Sequence, residues 1–306
     1  MRVAIIGQQA FGGAVLNAFA ERGHEVAGVF VPPAAPGARP DPLRAAAEQR
    51  GVAVFDFPRY TAPEAQAALR GRDVDLGIMA YVLAFVPQAF CTIPRHGTIQ
   101  FHPSLLPQHR GPSSINWAII QGRTRTGLTI FRPTDGLDEG PVLLQKAVEI
   151  GPDDTVGSVY FDRIFPLGVA ALVEAAELVV AGRAEERVQD EAHATYEGWV
   201  HDAEAEIHWA THVDGVYDLI RGCNPAPGAW TRVAGRKLTI FDARKSVART
   251  FGAIRGKTIG EVVAVGEKSF TVGGQGGFIE VLRCRLDDGP KIAAGEAGLK
   301  PGTRLG

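Results

Sequence analysis

Four short apolar runs, at residues 3–6, 25–31, 52–55 and 75–80, alternate with segments of helical periodicity. Few architectures satisfy that alternation. Parallel strands need crossover connections, and helices used as crossovers cover both faces of the sheet. The expected fold is therefore α/β, with a doubly wound, mostly parallel sheet. Helices are expected over residues 11–22, 41–50 and 63–69, the second capped by Asp41 with Pro42 at its first position. Residues 7–13 read as a glycine-bearing turn. Gly7, Gly12 and Gly13 do not follow Gly-x-Gly-x-x-Gly, so no nicotinamide cofactor is expected. Ligands of such sheets bind beyond the carboxyl ends of the strands. That directs attention to residues 81–87, after the strand ending at Ala80, and to residues 103–112, after a strand at 98–102.

Further along, a helix is expected over residues 113–121, and strands at 127–131 and 142–150 flank a polar loop at 132–140. Thr155 caps a long helix that ends near Ala181, with Gly182 as its stop signal. Residues 183–203 are charged and irregular. A helix at 213–221 and short β-rich runs at 238–241, 261–265, 269–272 and 278–284 come next, and their spacing predicts a small β-barrel. A chain of 306 residues exceeds one ordinary core. The expected organisation is a Rossmann-like domain over residues 1–189 carrying the site motifs, a linker at 190–203, and a C-terminal barrel at 204–306.

The net charge of −2 gives no support for extensive contact with nucleic acid or membrane. Three widely spaced cysteines, Cys91, Cys223 and Cys284, suit reduced thiols better than a disulfide framework. The opening apolar run stops at Gly7, too short for a signal peptide, and no run is long enough for a membrane span. A cytoplasmic protein is expected.

Two stretches carry chemistry. In Gln100-Phe101-His102-Pro103-Ser104-Leu105-Leu106-Pro107-Gln108-His109-Arg110-Gly111, a histidine ends a strand and prolines lock the segment after it. Histidine titrates near neutrality, and Gln100 shares its face because strand side chains alternate. In Asp135-Gly136-Leu137-Asp138-Glu139-Gly140, glycines let the backbone approach a ligand. Alone, His102 reads as a satisfied core histidine, Asp138 as a turn cap and Gln100 as a hydrogen-bonded strand residue. Together they read as a site. Arg110 either binds an anionic part of a substrate or pairs with an acidic neighbour. His208 and His212 have a spacing zinc can use, but no third ligand is evident and no metal is expected.

His-Pro-Ser-Leu-Leu-Pro followed by Gly-Leu-Asp-Glu-Gly resembles the folate-dependent formyltransferase family. Within it the resemblance is strongest to the hydrolase domain of 10-formyltetrahydrofolate dehydrogenase, and extends to methionyl-tRNA formyltransferase. It also includes Ile6-Gly7-Gln8, Pro94-Arg95-His96-Gly97, Ile115-Asn116-Trp117, Thr195-Tyr196-Glu197-Gly198 and Pro227-Gly228-Ala229-Trp230. The resemblance implies that 10-formyltetrahydrofolate is the co-substrate and that His102 and Asp138 are essential. It places the pterin against Leu83, Ala84, Phe85 and Val86. Ser104, Leu105, Leu106, Pro107, Asp135, Gly136 and Leu137 complete the expected folate site.

Formyl transfer is acyl transfer through a tetrahedral intermediate. His102, assisted by Gln100, would stabilise the oxyanion, and Asp138 would order water and relay the acceptor's proton. The transferases carry asparagine where this chain has Gln100, and the hydrolase domain carries an apolar residue there. Residues 32–43 are short and without lysine, which weakens a tRNA reading. These 306 residues are not expected to include an aldehyde dehydrogenase portion or to oxidise the formyl group by themselves. The first-choice acceptor is a small amine, then water as in a 10-formyltetrahydrofolate hydrolase, then methionyl-tRNA. The last draws on Arg232, Arg236, Lys237, Arg244, Lys245 and Arg249, a cluster that reads equally as a solvated edge. Tyr196 either lines the acceptor entrance or is an exposed tyrosine. A non-catalytic folate-binding module is the alternative from another class.

Overall fold

Val3, Ala4, Ile5 and Ile6 are wholly buried, as a strand covered by helices on both faces requires. The computed structural model describes residues 1–35, 37–248 and 258–306. In chain order it runs β1 (Arg2–Gly7), α1 (Gln9–Glu21), β2 (Glu25–Val31), α2 (Pro42–Gln49), β3 (Val54–Asp56), α3 (Pro63–Arg70), β4 (Leu76–Ala80), α4 (Gln88–Cys91) and β5 (Thr98–His102). Then come α5 (Ser114–Ile120), β6 (Arg125–Phe131), β7 (Val142–Glu149), α6 (Val156–Val159), α7 (Phe165–Val180) and α8 (Val213–Gly222). The last strands are β8 (Ala229–Val233), β9 (Arg236–Val247), β10 (Val262–Val265), β11 (Phe270–Gly274), β12 (Gly277–Leu286) and β13 (Ile292–Ala293).

Contacts divide the chain into two units. The first comprises Met1–Gly111, Gly127–Val148 and Phe161–Tyr196. Its seven-stranded sheet has the order β3-β2-β1-β4-β5-β6-β7. β1 is parallel to β2 and β4, β2 to β3, and β4 to β5, while β6 runs antiparallel to β5. The mostly parallel α/β sheet expected from the sequence is therefore present.

Residues 7–13 are not a glycine turn. α1 starts at Gln9, and Gly12 and Gly13 lie inside it. A Cβ at Gly13 would stand 3.2 Å from the Pro42 carbonyl oxygen, so the glycine lets α1 and α2 pack closely. β1 ends at Gly7, where a Cβ would lie 1.9 Å from the Ala80 carbonyl oxygen, and the left-handed backbone of the turn falls on Gln9, φ 64°. One carboxylate, Asp41, then fastens two helix starts, accepting from Leu43 N at 2.9 Å and from Gln9 N at 2.8 Å. The single long helix expected after Thr155 is also interrupted. Thr155 and Ser158 form a capping box, but a π turn at Tyr160–Ile164 separates α6 from α7. Pro166, in the first turn of α7, has no N–H to continue the α-helical ladder across that point.

The second unit comprises Pro112–Thr126, Glu149–Tyr160 and Glu197–Gly306. Where the spacing of its β-rich runs predicts a barrel, its described residues form a six-stranded antiparallel sheet. The order is β10-β11-β12-β9-β8, with β13 on β12. Trp209, Trp230, Ile240, Phe270 and Ile279 belong to its core. Of the clustered cations, Lys237 pairs with Asp202 at 2.6 Å, Arg236 with Asp287 at 2.8 Å and Lys245 with Asp214 at 2.6 Å. Arg232 lies over the Trp230 ring. Arg249 lies outside the described residues. Among the described residues no helix is long and apolar enough to cross a membrane.

Candidate active site

β5 aims the site through the side chain it buries on its other face. Phe101 packs on Phe11 of α1 with ring centroids 4.4 Å apart, and Phe11 meets Phe165 of α7 edge-on at 5.3 Å. Gly168 makes room, since a Cβ there would come 2.5 Å from the Phe101 ring. With Phe101 fixed, strand alternation turns Gln100 and His102 to the opposite face.

His102 is buried at the end of β5. Its Nε2 lies 2.8 Å from the main-chain oxygen of His109. Its Nδ1 faces Asp138 Oδ2 at 3.5 Å. Asp138 is also buried. Its Oδ2 accepts the Gly111 N–H at 2.9 Å, and its Oδ1 receives a long hydrogen bond, 3.5 Å, from the Gln100 amide. Gln100, His102 and Asp138 are thus brought together. His109 and Asp138 both adopt left-handed backbone, φ 55° and 52°, a conformation uncommon outside glycine. A Cβ at Gly140 would lie 1.7 Å from the Arg132 carbonyl oxygen, so the loop can close back only with glycine at its end.

The segment after His102 is pinned by polar bonds. Ser104 donates to the Gln108 carbonyl at 2.7 Å. Thr129 donates to the Ser104 carbonyl at 2.7 Å and accepts the Leu106 N–H at 3.1 Å. Leu106 belongs to a buried cluster with Phe131 and Val142, while Leu105 and Pro107 are half-buried. Of the remaining expected folate residues, Val86 lies in the core, Ala84 is exposed and Gly136 is half-buried. Leu83, Phe85 and Leu137 are 58%, 61% and 55% exposed, unusual for large apolar side chains. Leu83 and Phe85 follow β4 and Leu137 follows β6. Asp135, itself exposed, joins the two loops by accepting the Gln88 N–H at 2.8 Å.

Among the described residues Arg110 is the largest fully buried side chain, and it takes the structural of its two readings. It donates to both oxygens of Glu191 at 2.9 and 2.6 Å, to Gln189 Oε1 from Nε at 3.1 Å and from Nη2 at 2.9 Å, and to the Tyr196 hydroxyl. That occupies its donor fork. The bond to Glu191 holds Arg110 above the ordinary guanidinium range and the Glu191 carboxyl below the ordinary carboxylate range. Tyr196 is half exposed, its ring against the Arg110 guanidinium. Gln189 and Glu191 were not singled out by the sequence, because both sit in a polar, irregular stretch. The buried arginine, which needs acceptors, is the one signal that points to them.

His212 caps α8, its Nδ1 accepting the Asp214 N–H at 3.3 Å. Among the described residues no group of three His, Cys, Asp or Glu side chains could hold a metal ion.

A family model described as formyl transferase matches residues 1–176, and one described as the formyl transferase C-terminal domain matches residues 200–298. The cytosolic 10-formyltetrahydrofolate dehydrogenase of Mus musculus is 43% identical over 248 residues, 79% of this chain and 27% of that protein. This chain therefore spans well under half of that relative. Methionyl-tRNA formyltransferase of Geobacter metallireducens is 32% identical over 315 residues, 100% of this chain and 99% of that protein. Among solved structures, HypX from Aquifex aeolicus in complex with tetrahydrofolic acid is similar with a TM-score of 0.69 and 19% identity. That match covers 97% of this chain and 46% of the other and is a likeness of fold.

Proposed function

The chain belongs to the formyl transferase family, and on that premise we propose that it moves the formyl group of 10-formyltetrahydrofolate to a small amine. The observation that carries the reading is the buried His102–Asp138 pair, with Nδ1 and Oδ2 3.5 Å apart at the end of β5. The residues fit a folate. Leu83, Phe85 and Leu137 offer apolar surface to a flat heterocycle, on two loops already joined by Asp135. With a proton on both ring nitrogens, His102 keeps Nε2 on the His109 carbonyl and donates through Nδ1 to the formyl oxygen as that oxygen gains charge. Gln100 adds a second donor from the same strand face. Asp138, through a water or directly, takes the proton that the attacking nitrogen must lose. A proton returns to the folate nitrogen as its bond to the formyl carbon breaks and tetrahydrofolate leaves. All five donors of Arg110 are engaged, so recognition of an anionic acceptor falls to other groups.

Water is the second reading for the acceptor, favoured by the 43% identity with the 10-formyltetrahydrofolate dehydrogenase. Methionyl-tRNA is disfavoured by the carboxylates that pair with Arg236, Lys237 and Lys245.

The deciding experiment incubates the protein with 10-formyltetrahydrofolate and no acceptor, following tetrahydrofolate, with His102→Ala as control. Little release with folate bound, followed by His102-dependent turnover when amines are added, is the expected result. Rapid release of formate that needs His102 would make water the acceptor. Turnover in neither case would refute the enzymatic reading.

A further inference from the structure

We propose that Gln189 is a positioning residue whose buried side-chain amide sets the Asp138 carboxylate against His102. This rests on the reading of His102 and Asp138 as the reacting pair. Gln189 is 6% exposed, although its neighbour Val188 is 90% exposed. Its Nε2 donates to the main-chain oxygens of Asp138 at 2.8 Å and Gly140 at 2.7 Å. These carbonyls stand on either side of Glu139, so the amide grips the loop at two points just past the carboxylate. The grip matters because Asp138 is held in left-handed backbone. Released, that residue would relax toward ordinary dihedrals and swing its side chain.

The other end of the amide reaches the histidine side of the site. Gln189 Oε1 accepts two N–H groups of Arg110. Arg110 stands between His109, whose carbonyl holds His102, and Gly111, whose N–H holds Asp138 Oδ2. One amide and one guanidinium therefore fix both members of the pair. Gln189 is itself registered by the main chain. Arg187 and Val142 exchange two backbone hydrogen bonds at 2.8 and 2.9 Å, and Thr195 pairs with Pro107 and Arg110. The opposing view is that the amide merely satisfies buried carbonyls and supports the fold. The two views differ in what a substitution does to kcat relative to folate binding.

The test is Gln189→Leu in the full chain, which keeps the bulk and removes the donors. If the clamp acts on the pair, kcat falls about 10–100-fold while the Kd for 5-formyltetrahydrofolate stays within about threefold. The Gly111 amide, whose acceptor is Asp138 Oδ2, loses at least about tenfold in hydrogen-exchange protection, with β1 and β4 amides unchanged. Wild-type kcat with Gly111 still protected overturns the proposal. So does a parallel loss of kcat, folate binding and core protection, which marks a structural role. Should Gln189→Leu fail to fold, Glu191→Gln at the exposed end of the network replaces it. The same split is then expected at a severalfold loss of kcat, and an unchanged kcat and Gly111 protection overturns the clamp. Absence of His102-dependent turnover in the unmodified protein would refute the functional reading, whereas Gly111 protection still decides the clamp.

Discussion

The Nε2–H of His102 donates to the main-chain carbonyl of His109 at 2.8 Å. A carbonyl oxygen only accepts, so this contact places a proton on Nε2 and leaves Nδ1 facing Asp138. The ring cannot exchange its two nitrogens without losing that bond. Asp138→Asn keeps the shape, and its amide oxygen can still accept from Gly111. It removes the carboxylate proposed to receive a proton. We expect kcat to fall at least about 100-fold, with folate affinity within about threefold, checked by single-turnover assay and equilibrium binding. A fully active variant would dismiss Asp138 from the chemistry.

Phe85 is exposed on a loop that Asp135 ties to the Leu137 loop. Phe85→Ala is expected to weaken folate binding about tenfold, near 1.4 kcal/mol, with kcat at saturation close to that of the unmodified protein. Asp135→Ala should act in the same direction more weakly, through the lost tie. Fluorescence titration with 5-formyltetrahydrofolate reads both. Unchanged affinity in both variants would place the pterin elsewhere.

Phe101 bears on stability first and on aim second. Phe101→Ala empties a site lined by Phe11 and Gly168 and should cost about 3–5 kcal/mol, read as a lower urea midpoint. Gly168→Ala forces a methyl to within 2.5 Å of the same ring and should cost about 1–3 kcal/mol. If neither variant shifts the midpoint, Phe101 does not anchor β5.

Burial pushes the thiols of Cys91 and Cys223 up to about 12 and that of Cys284 to about 11, with Asp135 adding to the effect at Cys91. The folded state thus favours the neutral thiols. Their contribution to stability is complete below the unfolded thiol range, near ~8.5, and is lost as pH rises from there toward the folded values. Native protein at pH 8 should react slowly with a disulfide reagent and titrate all three cysteines once unfolded. Fast labelling of the native protein would contradict this.

The sheet was legible because its strands are nearly continuous apolar runs with helical patterns between them. What escaped the reading has local causes. Gly12 and Gly13 carry the composition of a turn, yet α1 uses them for contact with α2, which no residue near them announces. α4 is four residues long, too short for any period to register. The His102 and Asp138 ends of the site were legible as motifs, each bracketed by proline or glycine. Gln189 was not, since a glutamine between an exposed valine and an aspartate looks like solvated chain until the loop it grips is in view.

That glutamine also has a sense of direction. Arginine offers only donors, and a main-chain carbonyl only accepts, so the side chain between Arg110 and the Asp138 and Gly140 carbonyls must accept at one edge and donate at the other. Glutamate cannot donate, lysine cannot accept, and asparagine has the right edges with a shorter reach. The identity of residue 189 is thereby dictated by residue 110. In any homologous chain where evolution has replaced that arginine, position 189 should be released to vary with it, and the two positions should drift as a pair.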